Sequence, residues 1–171
     1  QRMLKLLGCE KNPGSVPDAV ASWDAQALED TIAEEGLCGA MVRSGDEWAK
    51  HPQGKILKQL PVVEVIKIGN SPPEPLPPGS RPLSGIRVLD PTIILAGPTC
   101  ARTLAEHGAD VLKIGSPSRQ DGPGFDMDTG HGKRSTYLNL KEQSDKERLW
   151  KLIREADVFS QSYRYGALAS L

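Results

Sequence analysis

The chain has 171 residues with 21 Lys+Arg, 22 Asp+Glu and a formal net charge of −1. This balance excludes a broadly basic nucleic-acid binder, because affinity for a phosphate backbone requires an excess of clustered cations. Three widely spaced cysteines, Cys9, Cys38 and Cys100, argue against a disulfide framework and favour a reducing compartment. No apolar run approaches the roughly 18 residues of a membrane span, so we expect a soluble protein with no membrane partner.

The first part of the chain contains short elements with clear local signals. Apolar residues at helical spacing predict a helix from Asp24 to Glu35. Leu37 to Arg43 is a candidate strand, and Ser44 with Glu47 forms a capping box that predicts the start of a short helix. The alternation over Val62 to Ile68 predicts another strand. Together these elements indicate a small α+β segment without a cluster of catalytic residue types.

Prolines divide the chain. Six of the 14 prolines fall between Asn70 and Leu83, a stretch that favours polyproline II geometry and acts as a semi-rigid spacer. We therefore expect a small α+β segment over residues 1–69, a Pro-rich linker over 70–82 and a separate α/β part over 83–171.

The second part alternates strands and helices, which predicts a Rossmann-like parallel-sheet half-domain. The expected strands are Ile86 to Asp90, Asp110 to Ile114, Thr136 to Leu140 and Asp157 to Gln161. The expected helices run from Gly97-Pro98, with Pro98 at the first position, to about His107, and from Gln143 to Glu155; Gly115 to Gly132 is predicted as a long loop.

Several side chains in this part allow two interpretations each. Asp90, at the end of the first strand, either contributes to a ligand site or caps the turn that follows. The basic residues Lys133, Arg134 and Lys141 either hold phosphates or form a solvated strand edge. Cys100 has no identifiable catalytic partner and is interpreted as a small core residue. The three histidines lack the spacing of metal ligands, so we expect no metal.

Three blocks of the second part resemble the family III CoA-transferases, which include formyl-CoA and carnitine CoA-transferases and alpha-methylacyl-CoA racemase. The blocks are LSGIRVLDPTIILAGPTCARTLAEHGADVLKI (Leu83 to Ile114), GKRSTYLNLK (Gly132 to Lys141) and READVFSQSYRYGAL (Arg154 to Leu168). Gly36 to Gly69 resembles the closing small-domain segment of the same family. We therefore interpret the chain as the junction between two family units in a tandem polypeptide, or as a fragment cut across one unit.

The resemblance implies a set of residues that grip coenzyme A. Matched position by position, they are Leu95, Ala96, Ser116, Leu138, Asn139, Lys141, Ser162, Tyr163 and Arg164. In this reading Lys141 meets a phosphate, Tyr163 stacks on adenine and Arg164 does either. The chain departs from the family pattern in having Gly115 where Glu is usual, Gln161-Ser162 for Glu-Asn, and Tyr165 for Pro.

The resemblance also implies the chemistry. Transferases of the family use an Asp carboxylate that attacks the acyl-CoA thioester and then carries CoA to an acceptor acid, whereas the racemases use a His and an acidic residue. Both sets map beyond Leu171, so we expect no catalytic residue and no turnover in these 171 residues. Coenzyme A and acyl-CoA are expected as substrates, with no permanently bound cofactor.

The expected partners are acyl-CoA, a carboxylic acid, the remainder of the same polypeptide and a second copy in an interlocked homodimer, with no nucleic acid. The expected compartment is the cytoplasm, with the peroxisome or mitochondrion as alternatives. Three rival functions stay open: an acyl-CoA racemase or epimerase, a non-catalytic CoA-binding or dimerisation unit, and a nucleotide binder unrelated to CoA.

Overall fold

The computed structural model describes residues 1–118, 123–164 and 166–168. The chain forms two compact units, which we call the N-terminal unit (Gln1–Asn70) and the C-terminal unit (Ser71–Leu171). The helices of the N-terminal unit are α1 (Arg2–Leu7), α2 (Ser15–Ala21), α3 (Ala25–Glu34), α4 (Gly45–Lys50) and α5 (Pro52–Leu57).

Helix caps fix the central helices of the N-terminal unit. The Asp24 carboxylate accepts a hydrogen bond from the Ala27 amide at 2.9 Å and begins α3, which buries Leu28 and Ile32. The Ser44 hydroxyl and the Glu47 carboxylate each bond to the other's backbone amide, which completes the capping box of α4. Both predicted helices are confirmed, because their caps are local features that sequence spacing records directly.

The two strands predicted in the N-terminal unit are wrong. Neither Leu37 to Arg43 nor Val62 to Ile68 forms a strand, and the apolar side chains of the second segment are largely exposed. A strand requires a hydrogen-bonded neighbour, and no described residue of the unit supplies one to either segment.

The C-terminal unit contains a four-stranded parallel sheet in the order β3-β2-β1-β4. The strands are β1 (Arg87–Asp90), β2 (Asp110–Gly115), β3 (Lys133–Tyr137) and β4 (Val158–Phe159), and the helices are α6 (Ala96–Glu106), α7 (Pro123–Thr129) and α8 (Gln143–Arg154). Val88 of β1 is in register with Val111 of β2 on one side and with Val158 of β4 on the other. The predicted parallel α/β architecture is confirmed.

Helices cover both faces of the sheet, because successive strand side chains point to opposite sides. On one face Val88 and Val111 pack with Ala101 and Ala105 of α6. On the other face Leu89, Ile114 and Leu138 pack against the apolar side of α8, formed by Leu149, Leu152 and Ile153. The unit is therefore a doubly wound α/β layer structure.

Several details of the second part differ from the sequence predictions. Strand β3 ends at Tyr137 and not at Leu140, and β4 covers only Val158–Phe159 of the predicted Asp157 to Gln161. Helix α6 begins at Ala96, so Pro98 occupies its third position. The predicted long loop contains α7, and β3 begins at Lys133, three residues before the predicted Thr136. Cys100 is exposed on α6 and is not a core residue.

Candidate functional site

The carboxyl ends of the four parallel strands lie at one edge of the sheet, which we call the carboxyl edge. This is where open α/β sheets bind ligands, in the crevice at the point where the strand order reverses. Here the chain proceeds from β1 outward to β2 and β3, and then returns to place β4 on the other side of β1. The expected crevice therefore lies beyond the ends of β1 and β4.

A hydrogen bond joins the two segments that border this crevice. The Ile93 amide, after β1, donates to the Ser162 hydroxyl, after β4, at 3.4 Å. The Ser160 amide also donates to the Leu89 carbonyl of β1 at 2.9 Å. Segments about 70 residues apart in sequence thus meet at the predicted position.

The turn between β1 and α6 borders the expected crevice. Leu95 is the N-cap of α6 and is half exposed, and Ala96 is the first helical residue. The unpaired amides and the dipole at a helix N-terminus favour an anionic group. Ile94 has φ 71°, the only positive φ of a non-glycine residue in the described parts of the chain. This conformation is costly for a β-branched side chain.

The ends of β2 and β3 meet farther along the same edge. The Leu138 amide donates to the Gly115 carbonyl at 3.0 Å, and the Ser116 hydroxyl lies 3.0 Å from that of Ser118. The side chain of Leu138 is only 6% exposed and belongs to the core, so just its backbone is available to a ligand.

The loop from β3 to α8 is held in a defined turn. The Asn139 amide donates to the Asp145 carboxylate at 2.8 Å, and the Asn139 side-chain oxygen accepts from the Lys141 amide at 3.3 Å. This arrangement leaves Lys141 exposed at the carboxyl edge.

The segment after β4 carries the last three predicted residues. Tyr163 is partly buried, and its amide donates to the Gln161 side chain at 2.9 Å. Ser162 and Arg164 are exposed. All nine predicted residues therefore follow the carboxyl ends of strands, and the structure directly joins the β1 and β4 segments. Tyr165 lies outside the described residues.

Two of the three basic candidates are held in ion pairs and present no charge to a ligand at the carboxyl edge. The side chain of Lys133 is 2% exposed, and its ammonium bonds to the Asp90 carboxylate at 2.7 Å and to the Pro98 carbonyl at 2.8 Å. Arg134 pairs with Asp110, the first residue of β2, at the opposite edge. A phosphate-binding role for Lys133 is wrong, because its ammonium is enclosed beneath α6.

Asp90 is also enclosed. Its carboxylate accepts hydrogen bonds from the Thr92 amide at 3.2 Å and from the Thr92 hydroxyl, and its side chain is fully buried. It thus caps the turn, as one of the two interpretations expected. The sequence analysis singled out Lys133 and missed its burial, since a lysine that flanks a predicted strand gives no sign that the sheet will carry it under a helix.

A cavity of about 280 Å³ lies at the amino edge, away from the predicted residues. Its four charged lining residues, Arg87, Asp110, Arg134 and Glu155, form two ion pairs with one another. The cavity therefore offers a ligand no charge that is not already paired within it.

No group of three His, Cys, Asp or Glu side chains among the described residues is placed to hold a metal ion. None of the helices that these residues form is long and apolar enough to cross a membrane.

The sheet order and the helices on both faces define a doubly wound α/β domain. Comparison with known families identifies the domain further. The chain belongs to CoA-transferase family III, whose sequence model matches residues 83–171.

Two fungal relatives match almost the whole chain. It is 31% identical to an acyl-CoA transferase of Gibberella moniliformis over 98% of its length, and 35% identical to an acetyl-coenzyme A transferase of Hypoxylon pulicicidum over 90%. A formyl-CoA:oxalate CoA-transferase of Escherichia coli is 42% identical over 52% of the chain. The chain spans 32%, 28% and 24% of these three proteins, respectively.

A solved structure of a CAIB/BAIF family protein from Brucella suis is also similar. It is 33% identical, with 53% of this chain and 28% of that chain covered and a TM-score of 0.46.

Proposed function

We propose that the C-terminal unit is the coenzyme A-binding part of an enzyme that transfers CoA between carboxylic acids. The observation that carries the proposal is the meeting of the segments after β1 and β4, joined by the Ile93–Ser162 hydrogen bond where the strand order reverses, within the segment that matches the family. The transferase names of the relatives support the reaction class.

The chemistry of the edge suits the parts of coenzyme A. Its phosphates would meet the N-terminus of α6 at Leu95 and Ala96 together with the ammonium of Lys141. Its adenine would stack on Tyr163 or on the guanidinium of Arg164. The polar side chains of Ser116, Asn139 and Ser162 would complete the wall, and Leu138 would contribute its backbone.

We propose that the reacting carboxylate comes from outside the 171 residues. An Asp oxygen would attack the acyl-CoA thioester carbon and release CoA thiolate, which leaves a mixed anhydride. The thiolate would then attack the aspartyl carbonyl of the anhydride and free the first acid as its carboxylate. The acceptor carboxylate would attack the aspartyl-CoA thioester and release CoA thiolate, which leaves a second mixed anhydride. The thiolate would then attack the acceptor's acyl carbonyl, so that the acceptor leaves as its CoA thioester and the Asp carboxylate is restored.

We further propose that the chain joins two family units of a tandem polypeptide. The fungal relatives support this reading, because their similarity extends over 98% and 90% of the chain and not only over its C-terminal unit. The N-terminal unit would then close one family unit, and the C-terminal unit would open the next.

Calorimetric titration of the chain tests the binding proposal. We expect CoA to bind at least tenfold more tightly than NAD or ATP, and Lys141→Ala to weaken CoA binding about tenfold or more, as the loss of one charge-assisted contact predicts. Lys151→Ala, which removes an exposed ammonium from the last turn of α8, is the matched control. Tight NAD binding without a CoA response, or equal effects of the two substitutions, would overturn the proposal.

A further inference from the structure

A buried ion pair lies directly beneath the turn that leads from β1 into α6. The side chains of Asp90 and Lys133 are 0% and 2% exposed, and their charged atoms are 2.7 Å apart. Burying two charges costs desolvation energy that their attraction often fails to recover, so an apolar pair is frequently as stable. A contribution to the free energy of folding therefore does not by itself explain this pair.

The bonds of this pair reach both ends of the turn. One oxygen of Asp90 accepts from the amide and hydroxyl of Thr92, at the start of the turn. The ammonium of Lys133 donates to the Pro98 carbonyl, in the first turn of α6. One charged pair thus connects strand β3 and the end of β1 to both ends of the segment from Thr92 to Pro98.

Close packing adds to this connection. A Cβ atom built on Gly97 would lie only 2.5 Å from the Cβ of Thr92, so the start of α6 rests against the threonine that Asp90 holds. Any movement of Thr92 would therefore move the N-terminus of the helix.

The turn itself needs such an anchor. Ile94 has a left-handed backbone conformation and a half-exposed side chain, so its own packing does not compensate for the strain. Strained residues of this kind persist where the surrounding structure fixes them. The backbone bond from Thr99 to Leu95 and the bond from Ile93 to Ser162 stabilise the turn from its outer side.

We propose that Asp90, Lys133 and Thr92 are positioning residues that hold the β1–α6 turn in the shape that receives coenzyme A. They are too deeply buried to touch the ligand and act through the backbone at Leu95 and Ala96. This inference rests on the proposed function, since it assigns the turn a CoA ligand.

Thr92→Val and Thr92→Ser test the hydrogen bond between Thr92 and Asp90 without removing a charge. Valine keeps the shape of threonine and lacks the hydroxyl that bonds to Asp90, whereas serine keeps the hydroxyl. A double variant, Asp90→Asn with Lys133→Met, removes both charges together and so avoids leaving one buried charge unpaired. Arg87→Gln is the matched control, because it breaks an exposed ion pair on the same strand at the opposite edge.

Two measurements on the full 171-residue chain decide the matter. In Thr92→Val and the double variant we expect amide hydrogen exchange at Ile93 and Thr99 to accelerate at least tenfold, while Val111 of β2 changes less than twofold. The dissociation constant for CoA should rise at least fivefold in both. Thr92→Ser and Arg87→Gln should behave as the wild type.

Three results would overturn the inference: unchanged exchange in the turn, equal acceleration at Val111, or a loosened turn with unchanged CoA affinity. If the double variant does not fold, Thr92→Val decides alone. A wild-type chain that does not bind CoA would overturn the proposed function and the ligand assigned to the turn. Unchanged exchange in the variants, with CoA binding intact in the wild type, would overturn only the positioning role.

Discussion

At the scale of single residues, a semi-buried ion pair organises the N-terminal unit. The Arg43 guanidinium lies 2.7 Å from a Glu29 oxygen, and their side chains are only 8% and 20% exposed. The same carboxylate accepts a bond from the Met41 amide at 3.3 Å. These contacts attach the segment after α3 to the helix, in the stretch where the sequence predicted a strand.

The pair has a consequence for acid stability. The hydrogen bond from Arg43 is the main cause that holds the pKa of Glu29 below the usual range of a glutamate, and the Met41 amide lowers it further. Because the folded-state pKa is depressed, the stabilisation is present above the ordinary carboxyl range and is lost as the pH falls below it. Acid therefore weakens this contact.

We expect Arg43→Gln to return the pKa of Glu29 toward its ordinary value and to reduce the loss of stability between neutral and acidic pH. Carboxyl ¹³C shifts followed by NMR during a pH titration measure the first effect, and urea unfolding at several pH values measures the second. Arg2→Gln breaks an exposed pair with Glu35 and is the control. Identical Glu29 titration curves in wild type and Arg43→Gln would contradict the assignment.

At the scale of elements, local sequence determines where the helices form, whereas a strand forms only where a neighbouring strand is present. The helices α3 and α8 follow from apolar spacing, and their predicted bounds agree within one residue at each end. The start of α4 follows from its capping box. The segment over Val62 to Ile68 has the alternation of a strand, yet alternation records only an amphipathic pattern and not the presence of a neighbour.

In the candidate site, too, some features follow from local sequence and others depend on how the strands are arranged. Alternating strands and helices are enough to predict that polar residues after each strand meet at one edge. The burial of Lys133 and of Leu138 depends on strand order and register, which the sequence does not state. Helix α7 was missed because Gly, Pro and Asp dominate its surroundings, and these residues are typical of loops.

The start of α6 gives a prediction at this scale. Gly97→Ala places a methyl group 2.5 Å from the Cβ of Thr92, so we expect the free energy of unfolding to fall by about 1–3 kcal/mol, as overpacking does. Gly124→Ala is the control, because a Cβ there meets no atom within 4 Å and alanine favours the helix α7.

Chemical denaturation monitored by circular dichroism measures both changes. Equal stability of the two glycine variants would contradict the close approach of Thr92 to Gly97.

At the scale of the whole molecule, the chain spans about a third or less of the length of its relatives. It contains two compact units, and the family matches the second of them. The relatives are at least three times as long as the part that the chain covers. Under the proposed function, binding of the coenzyme and the chemistry of transfer reside in different stretches of a longer polypeptide.

That separation predicts the activity of the isolated chain. We expect the purified 171 residues to bind CoA and to show no exchange of CoA between two carboxylic acids, because the proposed Asp nucleophile lies outside them. An assay with acetyl-CoA or formyl-CoA as donor and a second acid as acceptor measures this, with product detected by mass spectrometry. Sustained turnover would show that a catalytic carboxylate lies within the chain.

An NMR titration with CoA locates the ligand on the sheet and so tests the proposed CoA site at the carboxyl edge. We predict that the largest amide shift changes occur at the carboxyl edge, at Ile93, Ala96, Lys141 and Ser162, with little change at Arg87, Asp110 and Arg134 around the opposite cavity. Shift changes centred on that cavity, or none at the carboxyl edge under saturating CoA, would contradict the account.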